Sequence, residues 1–281
     1  MRYFLSLVAL IAIFAFYMPH FTKYMEKRPL YAKLGYVPHG KLFKAILGRF
    51  RWFEGEYYTF RAITYYGSKV KYIVKHNTKS VEYYNLYTYI KTAVLLNPYN
   101  EDAYYFAQAA FSWDVGQVRA VNSILKYVYK YRPWDFQIPF FLGFNYAYFL
   151  HDYIKAAKYF KDAAKLSGSS LFANLAARYF YEGGRTQLGI AYLKFLIKNT
   201  RNKAYKKIYL TRLKALEALN YLQKGVDKYK KIYGKLPKSI DELLRRGIIS
   251  YIPEDPYGGK FYIDKNGKVK TTSKLARGWK K

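Results

Sequence analysis

Leu142-Gly143-Phe144-Asn145-Tyr146, followed by Ala156-Ala157-Lys158-Tyr159-Phe160-Lys161-Asp162-Ala163, is the stretch on which the fold turns. A small residue, Gly143, is followed three positions later by an aromatic, Tyr146, which puts both on one helix face. In the second segment a small residue, Ala156, is followed by Phe160 and then by a second small residue, Ala163, again at helical spacing. Small side chains let two antiparallel helices approach closely, and the large ones fill the gap between them. The stretch therefore predicts a helical hairpin.

The same pattern runs outward in both directions. Upstream, Ala62-x-x-Tyr65 and then Ala93 before Pro98 fit one hairpin, and Tyr104, Ala107, Phe111, Ala120 and Ile124 before Pro133 fit the next. Downstream, Ala173, Ala177, Phe180, Gly189, Leu193 and Leu196 fit another. Proline lacks an amide donor and stops or starts helices, so Pro98 and Pro133 suit the joints, as do Gly116, Gly168 and Gly183-Gly184. This spacing resembles the tetratricopeptide (TPR) repeat, a helix-turn-helix unit of about 34 residues. The expected fold is mainly α, a TPR-like α-solenoid; an irregular helical bundle is the alternative that the spacings leave open. The expected organisation is a membrane anchor over 1–22, a basic linker and first helix over 23–53, repeats over 54–200, a long connecting helix or helices over 201–233, and a small α+β module of helix and β-hairpin over 234–281.

Length and composition bound the rest. A chain of 281 residues that is 52% hydrophobic can bury a real core. Its 35 Tyr and 20 Phe supply rings with apolar bodies, and the tyrosines add polar tips that suit both core and groove. The chain has no Cys, which excludes disulfides, Cys-ligated zinc and thiol catalysis. The formal charge of +31 favours anionic partners, among them lipid headgroups, nucleic acid and acidic polymers. The plainer reading is a set of solvated lysine-rich helix faces. No nucleic-acid recognition motif accompanies the charge, so nucleic acid is the weaker expectation.

Behind Arg2, residues Tyr3–Met18 form an uncharged apolar run, followed by Pro19, His20 and Phe21 and then by Lys23, Lys27 and Arg28. A helix over Tyr3–Phe21 would be roughly 28 Å long, enough for the hydrocarbon core of a bilayer. A cleavable secretory signal is the rival reading, but no small-x-small cleavage site follows the run. The expectation is an uncleaved, single-pass signal anchor in a bacterial inner membrane with the bulk of the chain periplasmic. The excess of basic residues after the helix argues for the opposite orientation. Glu26–Gly40, with Pro29, Gly35, Pro38 and Gly40, reads as an extended connector. Over Lys41–Arg51, Leu42, Phe43, Ile46, Leu47 and Phe50 fall at helical spacing among basic residues. The first reading of this segment is a helix capping the repeats; the second is a helix lying on anionic lipid.

Two longer resemblances follow from these residues. Gly55–Gly67, Leu96-Asn97-Pro98, Pro133-Trp134 through Gly143-Phe144-Asn145-Tyr146, and Leu175-Ala176-Ala177-Arg178 together resemble a family of membrane-anchored bacterial TPR proteins. That resemblance implies a helical-repeat protein of the envelope and no particular reaction. Tyr233-Gly234-Lys235-Leu236-Pro237-Lys238-Ser239-Ile240, Ile252-Pro253, Asp255-Pro256-Tyr257-Gly258-Gly259 and Gly267-x-Val269 are similar to the C-terminal half of type II secretion pseudopilins, with Tyr257 where Trp is usual. On physical grounds Asp255-Pro256 and Gly258-Gly259 make tight turns. Phe261–Ile263 and Val269–Thr271 read as strands joined through Asn266-Gly267. The anchor lacks the basic leader, cleavage-site Gly and early Glu of a pilin, so polymerisation into a pilus is not expected.

Signs of chemistry are few. His20, His39, His76 and His151 are scattered, without metal-ligand spacing, and no phosphate loop or nucleophile motif is present. Glu254, Asp255 and Asp264 are carboxylates that could meet around the C-terminal loop and hold calcium; the plainer reading has Asp255 capping a turn. Asp135, after Pro133, reads as a helix N-cap. Neither an enzyme nor a cofactor is expected. If the repeat register holds, the first helix of each hairpin presents Asp102, Tyr105 and Trp113, then Gln137, Phe140, Phe144 and Tyr148, then Asn174, Arg178 and Tyr181 to a partner. Such a groove suits an extended peptide or an amphipathic helix, with about half of its aromatics accessible and the rest in the core. The expected function is a membrane-tethered adaptor for another envelope protein or peptide segment, in a secretion or pilus setting. The alternative is an anchored module for an anionic polymer such as nucleic acid or polysaccharide.

Overall fold

The computed structural model describes residues 2–27, 34–35, 37, 40–75 and 81–275. They are mainly helical, with one small two-stranded antiparallel sheet near the C-terminus. The first helix, α1 (Arg2–Lys27), contains a stretch, Ser6–Tyr24, that is long and apolar enough to cross a membrane, and none of that stretch is buried against the rest of the protein. Pro19 lies inside this helix. Most of the expected Glu26–Gly40 connector lies outside the described residues. Its Leu34 is buried, and Arg61 Nη2 donates to the Leu34 carbonyl at 3.2 Å, so this part of the connector is docked on the following domain.

The chain divides into two compact units, 1–132 and 133–281, and the joint falls at Pro133. In the first unit α2 (Gly40–Leu47) leads through a 3-10 turn, Gly48–Phe50, into α3 (Arg51–Val74). Then follow α4 (Tyr83–Leu96), α5 (Glu101–Trp113) and α6 (Val118–Tyr129). Each of α3 to α5 packs on its successor, and α3 also meets α5 as α4 meets α6. The reason is visible in the small residues. A Cβ on Gly55 would lie 2.7 Å from Asn97 Cβ and 3.1 Å from the Ala93 carbonyl, so α3 and α4 touch backbone to backbone there. Ala62 and Tyr65 of α3 are buried with Leu86, Tyr89, Ile90 and Ala93 of α4. Glu56 ties the turn after α4 to α3, because its carboxylate accepts from Asn97 Nδ2 at 2.6 Å and from Asn100 Nδ2. Asn100 in turn caps α5 by accepting from the Ala103 amide.

The second unit begins with α7 (Gln137–Tyr148) and α8 (Tyr153–Ser167), followed by α9 (Ser170–Glu182) and α10 (Thr186–Asn199). Gly143 of α7 faces the ring of Phe160 on α8, which a Cβ would meet at 3.1 Å. Ala156 and Ala163 of α8 are fully buried as well. The same device closes α9 on its neighbours, where a Cβ on Gly189 would lie 2.9 Å from the Ala177 carbonyl and 3.1 Å from Leu216. Asp152 and Ser169 cap α8 and α9, and Gly168 ends α8 with φ of 68°, a left-handed turn that favours glycine. Asp135 accepts from the Gln137 amide at 3.0 Å, so it caps α7 from one residue ahead of the helix boundary.

A helix of 31 residues, α11 (Lys203–Tyr233), carries an apolar stripe at Tyr209, Leu213, Leu216, Leu219, Leu222, Val226 and Tyr229. Its first half packs on α9 and α10, and its second half on α12 (Ile240–Arg245) and strand β2. Strands β1 (Phe261–Ile263) and β2 (Val269–Thr271) pair antiparallel with Tyr262 opposite Lys270, as the Asn266-Gly267 signal predicts. The C-terminal module shares one core with α9 to α11. Gln223 pairs with this hairpin through both ends of its amide, donating to the Gly267 carbonyl at 3.0 Å and accepting from the Val269 amide at 2.8 Å.

Candidate partner-binding surface

The ten residues expected at a groove fall in both units. In the first unit Asp102, Tyr105 and Trp113 share the outward face of α5, and all three are exposed. In the second unit Gln137, Phe144 and Tyr148 share one face of α7, with Phe140 at its edge toward α9. Tyr148 is 56% exposed, whereas Gln137, Phe140 and Phe144 are half-buried. Phe144 stacks on Tyr148 with ring centroids 5.4 Å apart. Phe140 leans across to Phe172 of α9 at 5.2 Å, and Phe172 also meets Phe136 at 5.9 Å. Two groups of rings thus stand side by side, Phe136, Phe140 and Phe172 between α7 and α9, and Phe144 with Tyr148 on α7.

Asn174 and Arg178 stand one turn apart on α9, both half-buried. Tyr181 does not share the face that carries Asn174 and Arg178. It is 5% exposed, its hydroxyl donates to the Val269 carbonyl at 2.6 Å, and burial pushes its pKa upward. The physical reason is register: the face of α9 that carries Ala173, Ala177 and Tyr181 is turned toward α11 and the β-hairpin, so this ring belongs to the core.

Near Arg178 the structure brings a residue that the repeat pattern does not single out, Arg212 of α11. It is 8% exposed and lies over the Tyr257 ring at 5.0 Å from its centroid. Burial lowers its pKa, and Arg178 is close enough to lower it further, while Tyr257 and Asp255 favour its charge. Nε and Nη1 of Arg212, Nε of Arg178 and Oδ1 of Asn174 are all buried without a hydrogen-bond partner. Buried polar atoms are almost always satisfied, and a buried charge costs several kcal/mol unless it is paired, about the largest local penalty a fold tolerates. One signal in the sequence could have found this residue. Arg212 interrupts the apolar stripe of α11 between Tyr209 and Leu213.

The carboxylates near the C-terminal loop have separate tasks. Asp255, buried, accepts from Ser273 Oγ at 2.6 Å, from Thr271 Oγ1 and from the Tyr257 amide at 2.9 Å. Asp264 pairs with Lys270 at 2.8 Å and accepts from the Lys268 and Asn266 amides. Burial pushes the Asp264 pKa up, but these donors outweigh it and hold the group low. Among the described residues no three His, Asp or Glu side chains come close enough to hold a metal ion. A different surface of α11 lines a shallow groove with Lys203, Lys206, Lys207 and Lys214, closed by Leu210 and Pro256.

Compared with known protein families, curated proteins and solved structures, the chain matches none.

Proposed function

We propose that this protein is a membrane-tethered helical-repeat adaptor whose second unit takes a segment of another envelope protein along α7, α9 and α11. In this reading the hairpins α3–α4, α5–α6, α7–α8 and α9–α10 are TPR-like repeats, and α1 is the single-pass anchor. The observation that carries it is the group of orphaned polar atoms on Asn174, Arg178 and Arg212, in the same unit as the rings of Phe140, Phe144, Tyr148 and Phe172. A segment with an aromatic or aliphatic side chain, a carboxylate and an N–H donor would satisfy the whole group, the rings by apolar contact, the guanidiniums by charge-assisted hydrogen bonds and Asn174 Oδ1 by accepting from the N–H. The pseudopilin-like turn Asp255–Gly259 brings Tyr257 beneath Arg212, so the C-terminal module helps to shape the basic end. That likeness is also the reason for placing the adaptor near a secretion or pilus apparatus.

Affinity isolation of the full chain from detergent-solubilised membranes tests the reading. One stoichiometric protein partner should survive high salt and be lost when Asn174→Ala, Arg178→Ala and Arg212→Met are combined. The lysine groove of α11 favours a second reading, an anchored module for an anionic polymer. Its mark would be nucleic acid or polysaccharide that leaves as salt rises, because polyelectrolyte contacts release counterions.

A further inference from the structure

We infer that α2, the 3-10 turn and the first turns of α3 form a second membrane contact that rests on an anionic bilayer surface beside the α1 anchor. This inference depends on the membrane reading of α1. It is independent of what the second unit binds.

The observation is a helix that packs one side and leaves its other apolar side bare. Toward α4, α2 presents Gly40, whose Cβ would lie 2.9 Å from Leu95, and its Phe43 ring meets Tyr58 at 6.1 Å. Leu42 and Ile46, one turn apart, face away from that contact and are 61% and 71% exposed. Phe50 at 75% and Phe53 at 72% continue the series, with Trp52 also exposed. Large aromatic and aliphatic side chains clustered this densely in water are unusual for a soluble domain and mark an interaction face.

The charge around them selects the occupant. Lys41, Arg49 and Arg51 are interleaved with these side chains, while Lys44 turns inward to donate to the Tyr127 hydroxyl, and no Asp or Glu occurs from Gly40 to Phe53. Lys41 and Arg49 are exposed, and Arg51 lies over the Trp52 ring, 5.8 Å from its centroid. Apolar residues that can enter the acyl boundary, cations at the headgroup level and a Trp between them are what an interfacial helix needs. Each basic residue near an anionic leaflet adds about 1 kcal/mol of attraction. Lysine is depleted from protein interfaces, so an exposed Lys41 among these side chains suits lipid headgroups better than a protein partner.

Chain length supplies the proximity. Leu34 is docked on the first unit through Arg61, and only seven peptide steps separate it from Lys27 at the end of α1. Fully extended, seven residues reach at most about 25 Å. The first unit is therefore held against the bilayer whenever α1 spans it, and it must turn some surface toward the headgroups. The bare face of α2 and early α3 is the surface suited to that position.

The absence of native cysteine makes a clean test available. Full-length Ile46→Cys and Phe53→Cys, with Tyr84→Cys as an exposed site on α4, would each carry an environment-sensitive fluorophore and be reconstituted into vesicles of phosphatidylethanolamine and phosphatidylglycerol. The expected result is blue-shifted emission at positions 46 and 53, quenched by brominated lipid, with position 84 remaining water-like. Lys41→Glu with Arg49→Glu should reduce that quenching, and vesicles without phosphatidylglycerol should do the same. Emission at 46 and 53 that stays water-like while alkaline extraction leaves the chain in the bilayer would overturn this inference and spare the anchor. A blue shift insensitive to brominated lipid, with cross-links between position-53 cysteines of two chains, would assign the face to a second copy and overturn it too. A chain that alkaline extraction releases would overturn both the anchor and this contact.

Discussion

Arg212 is the residue whose environment is hardest to explain by folding alone. A buried guanidinium with two unsatisfied N–H groups, facing a second arginine, opposes stability, and an apolar side chain of similar length would avoid the penalty. Arg212→Met should therefore leave thermal stability unchanged or raise it, by about 1–4 kcal/mol where it is raised, while abolishing partner binding. Denaturant titration and affinity isolation of the same variant check the two halves. A variant that loses stability and still binds would make Arg212 a structural prop for Tyr257. Asp255 is the opposite case, since its carboxylate is consumed by the fold. Asp255→Ala leaves Thr271, Ser273 and the Tyr257 amide without their acceptor and should cost about 1–3 kcal/mol by the same titration.

At the scale of elements, the hairpins follow from local spacing, and this is where the sequence is most legible. Gly143 opposite Phe160, Ala62 and Tyr65 against α4, and Gly189 beneath α9 all stand where the small-and-large pattern puts them. Gly143→Leu would drive a branched side chain into the Phe160 ring and should destabilise the second unit by about 1–3 kcal/mol through overpacking, read as a lower denaturation midpoint. The β-hairpin was equally legible, because Asn-Gly between two short β-prone runs is a local signal. What spacing could not give was rotation about the helix axis. Tyr181 reads as a groove residue by repeat register, yet its face of α9 is claimed by α11 and β2, which lie far away in sequence. Arg212 was hidden for the same reason, since its importance depends on which side chains α9 and the Asp255 loop bring to it. The short α12 offers a test in acid. Glu242 is hydrogen-bonded by the Tyr229 hydroxyl at 2.5 Å and by the Lys238 amide at 2.7 Å, and these donors hold its carboxyl below the usual value. A lowered folded pKa means that its stabilisation is complete above the ordinary glutamate range and disappears as pH falls through the lowered value. Hydrogen exchange over α12 should therefore accelerate on acidification in the natural chain, and Glu242→Gln should flatten that acid limb.

For the whole molecule, the proposed membrane adaptor rests on a charge of +31 and on a stretch of α1, Ser6–Tyr24, that is long and apolar enough to cross a membrane. The same charge predicts weak, salt-labile association with any polyanion, so salt-resistant binding is the property that separates an adaptor from a basic surface. Affinity at the rings and the buried arginines should be far less sensitive to salt, because buried pairs are screened much less than exposed ones. The most direct measurement places a photo-crosslinking amino acid at Tyr148 of the full chain in its native membranes, with and without Arg212→Met. A discrete protein adduct that persists at high salt and disappears in the Arg212→Met chain is the expected result. An adduct indifferent to Arg212, or cross-linking only to polymer that salt removes, would contradict it.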